Sequence, residues 1–304
     1  MDLFLPFYHT ISDVELPHIK NLYQVKTTKQ FINDLDELLN LFEPISFQDL
    51  LQNKTTQKPA MLLSFDDGLT EIYHTIAPIL KSKGIPAITF LNSDFLDNRA
   101  LFFRYKVSLI IEFLNTENSK NISEMLSCAN KQQTIKKALL CLQHSDTALI
   151  DSIAKNMELS FDDFLTNQQP YLTTEQINHL IDQGFEFGAH SCSHPEYRFI
   201  SEEQQLQQTM DSIEFIRSKF NLNYSAFSFP FTDYNVSQSF FEQLHKKTKI
   251  DLTFGCAGIK EDSTKKHHQR FALENNNHSS LEVLKSELFY YSLLKTIGKH
   301  RIER

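Results

Sequence analysis

The sequence predicts an α/β fold built from repeated strand–helix units and interrupted by a helical insertion. Short apolar runs alternate with longer amphipathic runs along most of the chain, which is the pattern of βα units. Residues 101–165 depart from this pattern, because they predict several helices with no strand between them. Three polar motifs directly follow predicted strands, and functional side chains in parallel α/β folds gather at the carboxyl ends of strands.

The composition is that of an ordinary globular chain. Of the 304 residues, 41% are apolar and 22% are charged, which argues against wholesale disorder. With only 7 glycines and 26 phenylalanines, the core is expected to rely on aromatic packing. The net charge of −8 disfavours sequence-independent binding to nucleic acid.

The sequence predicts neither a membrane-spanning helix nor, as written, a secretory signal. No apolar run reaches the roughly 18 residues of a membrane-spanning helix, and the N-terminus lacks the basic start of a secretory signal. The four cysteines form no C-x-x-C pair, which predicts neither a disulfide framework nor a cysteine zinc site. We therefore expect a reducing, cytoplasmic setting.

The first βα units lie upstream of the insertion. Residues 61–65 predict a buried strand, and apolar residues at helical spacing follow over 72–80. Gly84 fits the position that ends this helix, and residues 87–91 predict the next strand.

The remaining elements follow the insertion. A capping box at Thr173–Gln176 predicts a helix that stops near Gly184. Strands are predicted at 185–189, 225–229, 251–255 and 269–273, and helices at 201–220, 237–247 and 281–298. We interpret residues 1–304 as one domain with a helical insertion over about 98–170 and a C-terminal helix over about 281–298.

The first polar motif is Ser64-Phe65-Asp66-Asp67-Gly68, in which two carboxylates follow an apolar strand. Neighbouring side chains at a strand end can diverge, so one carboxylate could bind a metal while the other acts as a base. Gly68 would allow a sharp turn or a close approach to a ligand. The alternative is a turn with a helix-capping Asp.

The same four letters recur at residues 160–163, where they have a different context. This copy follows a polar stretch rather than a strand, and Phe164 replaces the glycine. Ser160 there predicts an N-cap with Asp163 at the third helical position, which is a structural use.

The second motif is His190-Ser191-Cys192-Ser193-His194-Pro195, again directly after a predicted strand. Neutral imidazole is a favoured zinc ligand, and Pro195 favours a tight loop over a helix at His194. Two histidines with one aspartate would form an open, three-ligand site of the catalytic type. The alternative is a pair of solvated loop histidines, and we interpret Cys192 as a packing residue.

The third motif is the strand end Phe227-Ser228-Phe229-Pro230-Phe231. Alone it indicates only a strand that leaves the sheet at a proline turn.

Together these motifs resemble the polysaccharide deacetylase family, which is the NodB-homology group or carbohydrate esterase family four. Phe7-Tyr8-His9 is similar to the Tyr-His strand at the start of that family. The resemblance in order and spacing covers most of residues 4–275 outside the insertion.

The resemblance implies a distorted (β/α) barrel that removes N-acetyl or O-acetyl groups from sugars with a divalent metal. It implies that Asp67, His190 and His194 bind the metal, most simply Zn²⁺, with Co²⁺ or Ni²⁺ as alternatives. It also implies that Asp66 is the general base. The backbone N–H of Phe231, after Pro230, would lie in the oxyanion hole.

The sequence departs from the family pattern at two positions. Ser228 stands where many members carry an arginine that orients the base, and Arg270 is a possible replacement, the alternative being a surface arginine. The late Leu-x-His motif that supplies an acid is not visible. We interpret His267, His268 and His278 as solvated loop residues.

The C-terminal segment 285–304 carries five basic and two acidic residues on an amphipathic pattern. Such a helix can touch anionic lipid, but we favour a helix that docks on the barrel.

The sequence therefore predicts an enzyme, a metal-dependent deacetylase of a sugar polymer or glycan precursor, whose partner is an N-acetylated carbohydrate. The alternatives are a small-molecule amide hydrolase on the same barrel and a catalytically weak sugar-binding relative.

Overall fold

The chain divides into two compact units. The structure, a computed structural model, describes residues 2–274 and 277–304. The first unit comprises Met1–Asp13, Val25–Asp97 and Tyr171–Arg304, and the second comprises Val14–Gln24 and Asn98–Pro170.

Thirteen strands, most of them short, occur in the described residues. They are β1 Leu3–Phe4, β2 Pro6–Tyr8, β3 Glu43–Pro44, β4 Ala60–Met61, β5 Leu63–Phe65, β6 Ala87–Leu91, β7 Glu186–Ala189, β8 Ala226–Ser228, β9 Leu252–Gly255, β10 Glu261–Asp262, β11 His267–Gln269, β12 Phe271–Ala272 and β13 Arg301–Ile302.

Eight strands of the first unit form a parallel sheet in the order β11-β9-β8-β7-β6-β5-β2-β12. Its two outer strands are consecutive in the chain and are separated only by Arg270. One continuous segment therefore pairs with β9 at one end of the sheet and with β2 at the other, which closes the barrel. This confirms the predicted α/β barrel.

The barrel strands are buried because helices cover their outer faces. All five residues of β6 are buried, as is typical of a parallel strand covered on both sides. The strand predicted over 61–65 is divided, because β4 joins β1 and β3 in a small separate sheet and only β5 enters the barrel. The strand predicted over 269–273 begins earlier, at His267.

Twelve α-helices occur in the same described residues. They are α1 Thr28–Leu41, α2 Phe47–Leu51, α3 Ala77–Lys83, α4 Phe103–Glu112, α5 Thr116–Met125, α6 Gln132–Cys141, α7 Thr147–Asn156, α8 Phe161–Gln168, α9 Thr174–Asp182, α10 Glu202–Lys219, α11 Gln238–Lys247 and α12 Ser280–Thr296.

The helix end and the capping box that the sequence predicts in the first unit are both confirmed. Gly84 ends α3 in a left-handed conformation with φ of 65°, and Thr173 forms a capping box with Gln176 at the start of α9. The helix predicted from residue 72 begins with a π-helical turn, Ile72–Ile76. Pro78 follows this turn and has no N–H to donate to the preceding turn.

The second unit contains α4 to α8, and no strand occurs in its described residues. The sequence had not assigned residues 14–24 to it. Ser160 caps α8 by accepting a hydrogen bond from the N–H of Asp163 at 3.0 Å. This confirms the structural interpretation of the second Ser-Phe-Asp-Asp copy.

The C-terminal helix α12 packs on the first unit through Leu284 and Leu294, while Phe289 is 66% exposed. None of the helices in residues 2–274 and 277–304 combines the length and hydropathy needed to cross a bilayer.

Candidate active site at the carboxyl ends of the barrel strands

Two aspartates leave β5 in a sharp turn. Asp67 and Gly68 have φ values of 67° and 66°, so the backbone passes twice through the left-handed region. A Cβ on residue 68 would lie 2.6 Å from Cδ2 of Leu91, so the turn also needs the missing side chain. The two successive left-handed residues turn the Asp66 and Asp67 carboxylates toward different partners.

Asp67 lies against the two histidines that follow β7. Its Oδ1 is 3.2 Å from Nε2 of His194 and 3.6 Å from Nε2 of His190. The two Nε2 atoms are 3.1 Å apart, and all three residues are buried. The structure therefore brings together the three side chains that the sequence proposed as metal ligands.

The orientation of His190 suits a metal ligand. Its Nδ1 lies 2.8 Å from the carbonyl oxygen of Ser228, which can only accept, so Nδ1 carries the proton and Nε2 faces the cluster. Burial lowers the pKa of His190 to about 4, so the ring is neutral at pH 7.

The spacing of the three ligand atoms fits a small divalent cation. Ligands about 2.0–2.1 Å from a tetrahedral zinc ion lie about 3.3–3.4 Å apart, which matches the observed separations. Cys192, between the histidines in sequence, forms a hydrogen bond from its Sγ to the Gln208 carbonyl at 3.5 Å. Burial raises the pKa of Cys192 to about 11, so it stays a thiol.

Asp66 faces a different partner, the guanidinium of Arg270. Nη1 and Nη2 of Arg270 donate to Oδ1 and Oδ2 of Asp66 at 2.8 and 2.7 Å, which is a bidentate pair. Arg270 therefore lies against the proposed base, as a replacement for the missing arginine would, and the alternative of a surface arginine is wrong, because Arg270 is 1% exposed.

The barrel interior holds the Arg270 guanidinium in place. Ser64 accepts from Nη1 at 3.0 Å, and the Ser228 hydroxyl accepts from Nη2. The rings of Phe7 and Phe90 lie 4.4 and 5.1 Å from the guanidinium carbon. Ser228, at the position where the sequence resemblance led one to expect an arginine, thus accepts a hydrogen bond from Arg270, which lies between β11 and β12.

The pKa of Asp66 reflects two opposing effects. Burial raises it, but the charge and hydrogen bonds of Arg270, together with the nearby His190 and His9, outweigh burial and leave the pKa below its ordinary value. Asp66 is therefore ionised at pH 7.

The loop after β8 borders the ligand cluster. Phe231, which follows Pro230, has φ of 57° and is 38% exposed, and its ring lies 4.7 Å from that of His194. The thiol of Cys256 donates to the Phe231 carbonyl at 3.0 Å. Phe231 therefore lies on the exposed side of the cluster.

A histidine and glutamate pair that borders the site was not assigned a role from the sequence. Nδ1 of His9 lies 2.8 Å from Oε2 of Glu274, and the two side chains are 23% and 15% exposed. Burial lowers the pKa of His9, but Glu274, followed by Asp67 and Asp66, outweighs it and raises the pKa to about 10. A protonated imidazolium therefore borders the site.

Strand register explains why His9 faces the site. The N–H of Asp66 donates to the Tyr8 carbonyl, and that of Leu273 donates to the Phe7 carbonyl. His9 thus follows β2 with Asp66 on one side and Glu274 on the other. Its ring lies 5.7 Å from that of Phe7, which stacks on Arg270 inside the barrel.

The late histidines lie elsewhere. His267 was predicted to be a solvated loop residue, but it is a buried residue of β11, and its Nε2 lies 3.1 Å from Oδ2 of Asp233. The prediction was wrong because the strand begins at His267, two residues before the predicted start at Gln269. His268 is half-buried in the same strand, whereas His278 is exposed.

Comparison with known proteins agrees with this geometry. A family model described as polysaccharide deacetylase matches residues 53–248, which is more than half of the chain. The matched region contains the two aspartates, the two histidines and Phe231, but neither His9 nor Arg270. The search of curated protein sequences returned no match.

Several solved structures share the fold. The Streptococcus pyogenes deacetylase PplD, solved with acetate, is 15% identical, with a TM-score of 0.61 over 94% of this chain and 98% of that chain. IcaB from Ammonifex degensii is 14% identical, with a TM-score of 0.57 over 91% and 93% of the two chains. A de-N-acetylase from Aggregatibacter actinomycetemcomitans is 15% identical, with a TM-score of 0.58 over 93% and 98%.

Proposed function

Because this chain belongs to the polysaccharide deacetylase family, we propose that it is a metal-dependent hydrolase that removes N-acetyl groups from a glycan. One observation carries the proposal. An ionised aspartate held by a buried arginine lies beside an Asp-His-His cluster with the spacing of a metal site, with His190 Nε2 3.9 Å from Oδ2 of Asp66.

Asp67, His190 and His194 would hold the cation. An oxygen and two imidazole nitrogens suit Zn²⁺ best, and Co²⁺ or Ni²⁺ can take the same donors. When bound, a divalent cation polarises the acetyl carbonyl and makes a nearby water more acidic.

Asp66 would act as the general base. Its carboxylate takes the proton of the attacking water as the water oxygen bonds to the acetyl carbon. Arg270 keeps the carboxylate ionised and aimed, because its two N–H groups hold both oxygens in one plane.

The developing oxyanion needs donors near the cluster. The backbone N–H of Phe231 is our proposed donor, because Phe231 lies against His194 and the loop is bent there by a left-handed residue.

His9 would complete the reaction as the general acid. Cleavage of the C–N bond releases an amine that must gain a proton, and the protonated His9 can supply it from Nε2 while Glu274 holds Nδ1. The His9 side chain is 23% exposed, which allows contact with a substrate.

Acetate release from N-acetylated chito-oligosaccharides tests the proposed function. We expect release by the zinc-loaded protein, loss on chelation, and recovery when zinc, cobalt or nickel is added back. Asp66→Asn is the control for contaminating activity. Acetate from small amides or O-acetyl esters alone would contradict the N-acetylglycan assignment. Sugar binding without acetate release would contradict catalysis.

A further inference from the structure

A second cluster of charged side chains lies outside the site, beside the loop that carries Phe231. Carboxylate oxygens of Asp233 and Asp262 and a ring nitrogen of His267 lie within 4.8 Å of one another. Asp233 belongs to the Phe231 loop itself, two residues further along the chain. A group that binds this cluster therefore also holds the loop that carries Phe231.

The cluster is occupied by a cation of the chain, the guanidinium of Arg304. Its Nη2 forms an ion pair with Asp233 and lies 2.9 Å from Oδ2 of Asp262. The Arg304 side chain is only 4% exposed, and its guanidinium carbon lies 4.9 Å from the centre of the Phe241 ring. A buried guanidinium therefore already contacts both carboxylates, in the place that a metal ion would otherwise take.

Arg304 also binds the backbone of the loop. Its Nη1 donates to the carbonyl oxygens of Asp233 and Val236 at 2.9 and 3.2 Å. The pairing of β13 with β10 aligns Ile302 with Asp262 and so brings Arg304 to the cluster. One side chain thus fixes two carbonyls and one carboxylate of the same loop.

The loop contains backbone conformations that need such support. Phe231 and Asn235 have φ values of 57° and 64°, which L-residues seldom adopt. Such strained backbone conformations persist only where contacts from the surrounding structure hold them in place.

We propose that Arg304 is a positioning residue, which holds the loop of residues 231–236 so that the Phe231 N–H points at the acyl oxygen. This inference rests on the proposed function. Displacement of the Phe231 N–H would weaken stabilisation of the oxyanion for every acetyl substrate, whatever its leaving group. Loss of Arg304 should therefore slow the hydrolysis of amides and esters alike.

The test compares Arg304→Ala and Arg304→Lys with Arg301→Ala. Arg301 is a matched control, because it is the same residue type three positions earlier, in β13, and its side chain is 51% exposed. For Arg304→Ala we expect kcat to fall roughly tenfold or more on both an N-acetylated oligosaccharide and 4-nitrophenyl acetate, since small misplacements of catalytic groups are costly. KM and zinc content should stay unchanged.

Hydrogen exchange supplies a readout that does not depend on turnover. Amides in the peptide 230–236 should exchange faster in Arg304→Ala than in Arg301→Ala, with the barrel strands unaffected. Millimolar guanidinium should restore part of the activity, and Arg304→Lys should retain part of it, because an ammonium reaches fewer of the four acceptors.

The proposal fails if Arg304→Ala and Arg301→Ala share the same kcat and the same exchange in residues 230–236. It also fails if Arg304→Ala loses activity only in proportion to unfolded protein, measured by thermal unfolding. Absence of acetate release in the unmutated protein contradicts the proposed function instead, and the exchange comparison still decides whether Arg304 holds the loop.

Discussion

Asp66 and Asp67 are adjacent in the chain but have different partners. Asp66 is paired with Arg270, whereas Asp67 faces the His190 and His194 rings. Asp66→Asn should keep zinc and lower kcat by at least about 10²-fold, because an amide cannot accept the proton of water. Asp67→Asn should lose zinc as well. Metal analysis beside kcat measures both, and identical behaviour of the two variants would contradict the assignment.

Arg270 should control the acidic limb of the pH–rate profile. Removing its charge leaves burial as the main effect on Asp66, so the pKa of the carboxyl rises and more of the base is protonated at a given pH. Arg270→Ala should lower turnover and move the acidic limb to higher pH with zinc content unchanged. Arg270→Lys should restore only part of the shift, because it lacks the planar fork. If the acidic limb of Arg270→Ala stays at the same pH as that of the unmutated protein, Arg270 does not keep Asp66 ionised.

His9 should matter only when the leaving group needs a proton. His9→Gln should lower N-acetyl hydrolysis by about 10²–10⁴-fold, the usual contribution of a general acid. It should leave hydrolysis of 4-nitrophenyl acetate nearly unchanged, because nitrophenolate leaves without protonation. His278→Gln is the matched control, since His278 lies 3.5 Å from Glu282 in an exposed pair. Equal losses on both substrates would assign His9 another role.

At the scale of elements, the two Ser-Phe-Asp-Asp segments show that position decides the use of a motif. The copy at residues 64–67 begins within β5 and ends in the barrel site, whereas the copy at residues 160–163 caps and begins α8. Ser160→Ala should cost about 0.5–2 kcal/mol of stability, because the N–H of Asp163 loses its acceptor.

Urea unfolding would measure the Ser160→Ala change, and deacetylase activity should stay intact. Asp162→Asn is the companion variant, and it should also leave turnover unchanged, because this side chain lies in the first turn of α8. Loss of activity in Asp162→Asn would contradict the structural use of the second copy.

At the scale of the whole molecule, a buried ion pair joins the barrel to its covering helices. Lys26 is paired with Asp34 of α1, and both side chains are at most 2% exposed. Tyr8 donates to Oδ2 of Asp34 at 3.0 Å, and the N–H of Ser280 in α12 donates to Oδ1 at 2.9 Å. Asp34 therefore connects a strand and two helices.

Asp34→Ala should destabilise the protein by about 3–5 kcal/mol, because it leaves the Lys26 ammonium buried without its counter-charge. Asp36→Ala, two residues away, should cost at most about 1 kcal/mol, since Asp36 is 58% exposed in its pair with Lys83. Urea unfolding of the two variants checks the difference. Equal losses would mean that the buried pair is not a main support of the barrel.

The sequence determined the features that depend on neighbouring residues. The strand end before Asp66, the helix end at Gly84 and the capping box at Thr173 are local patterns, and each appears where it was predicted. The His190 and His194 motif was also visible, because four-residue spacing on a loop is enough to suggest a shared ligand.

Only the tertiary structure decided which distant side chains complete the site. Asp66 and Arg270 are 204 positions apart, and His9 and Glu274 are 265 positions apart. Both contacts exist because one segment pairs with β9 and with β2 and so closes the barrel. Local propensity carries no information about which strands meet at that closure. From the sequence alone, Arg270 could be either the partner of Asp66 or a surface arginine. The His9–Glu274 pair could not be predicted at all.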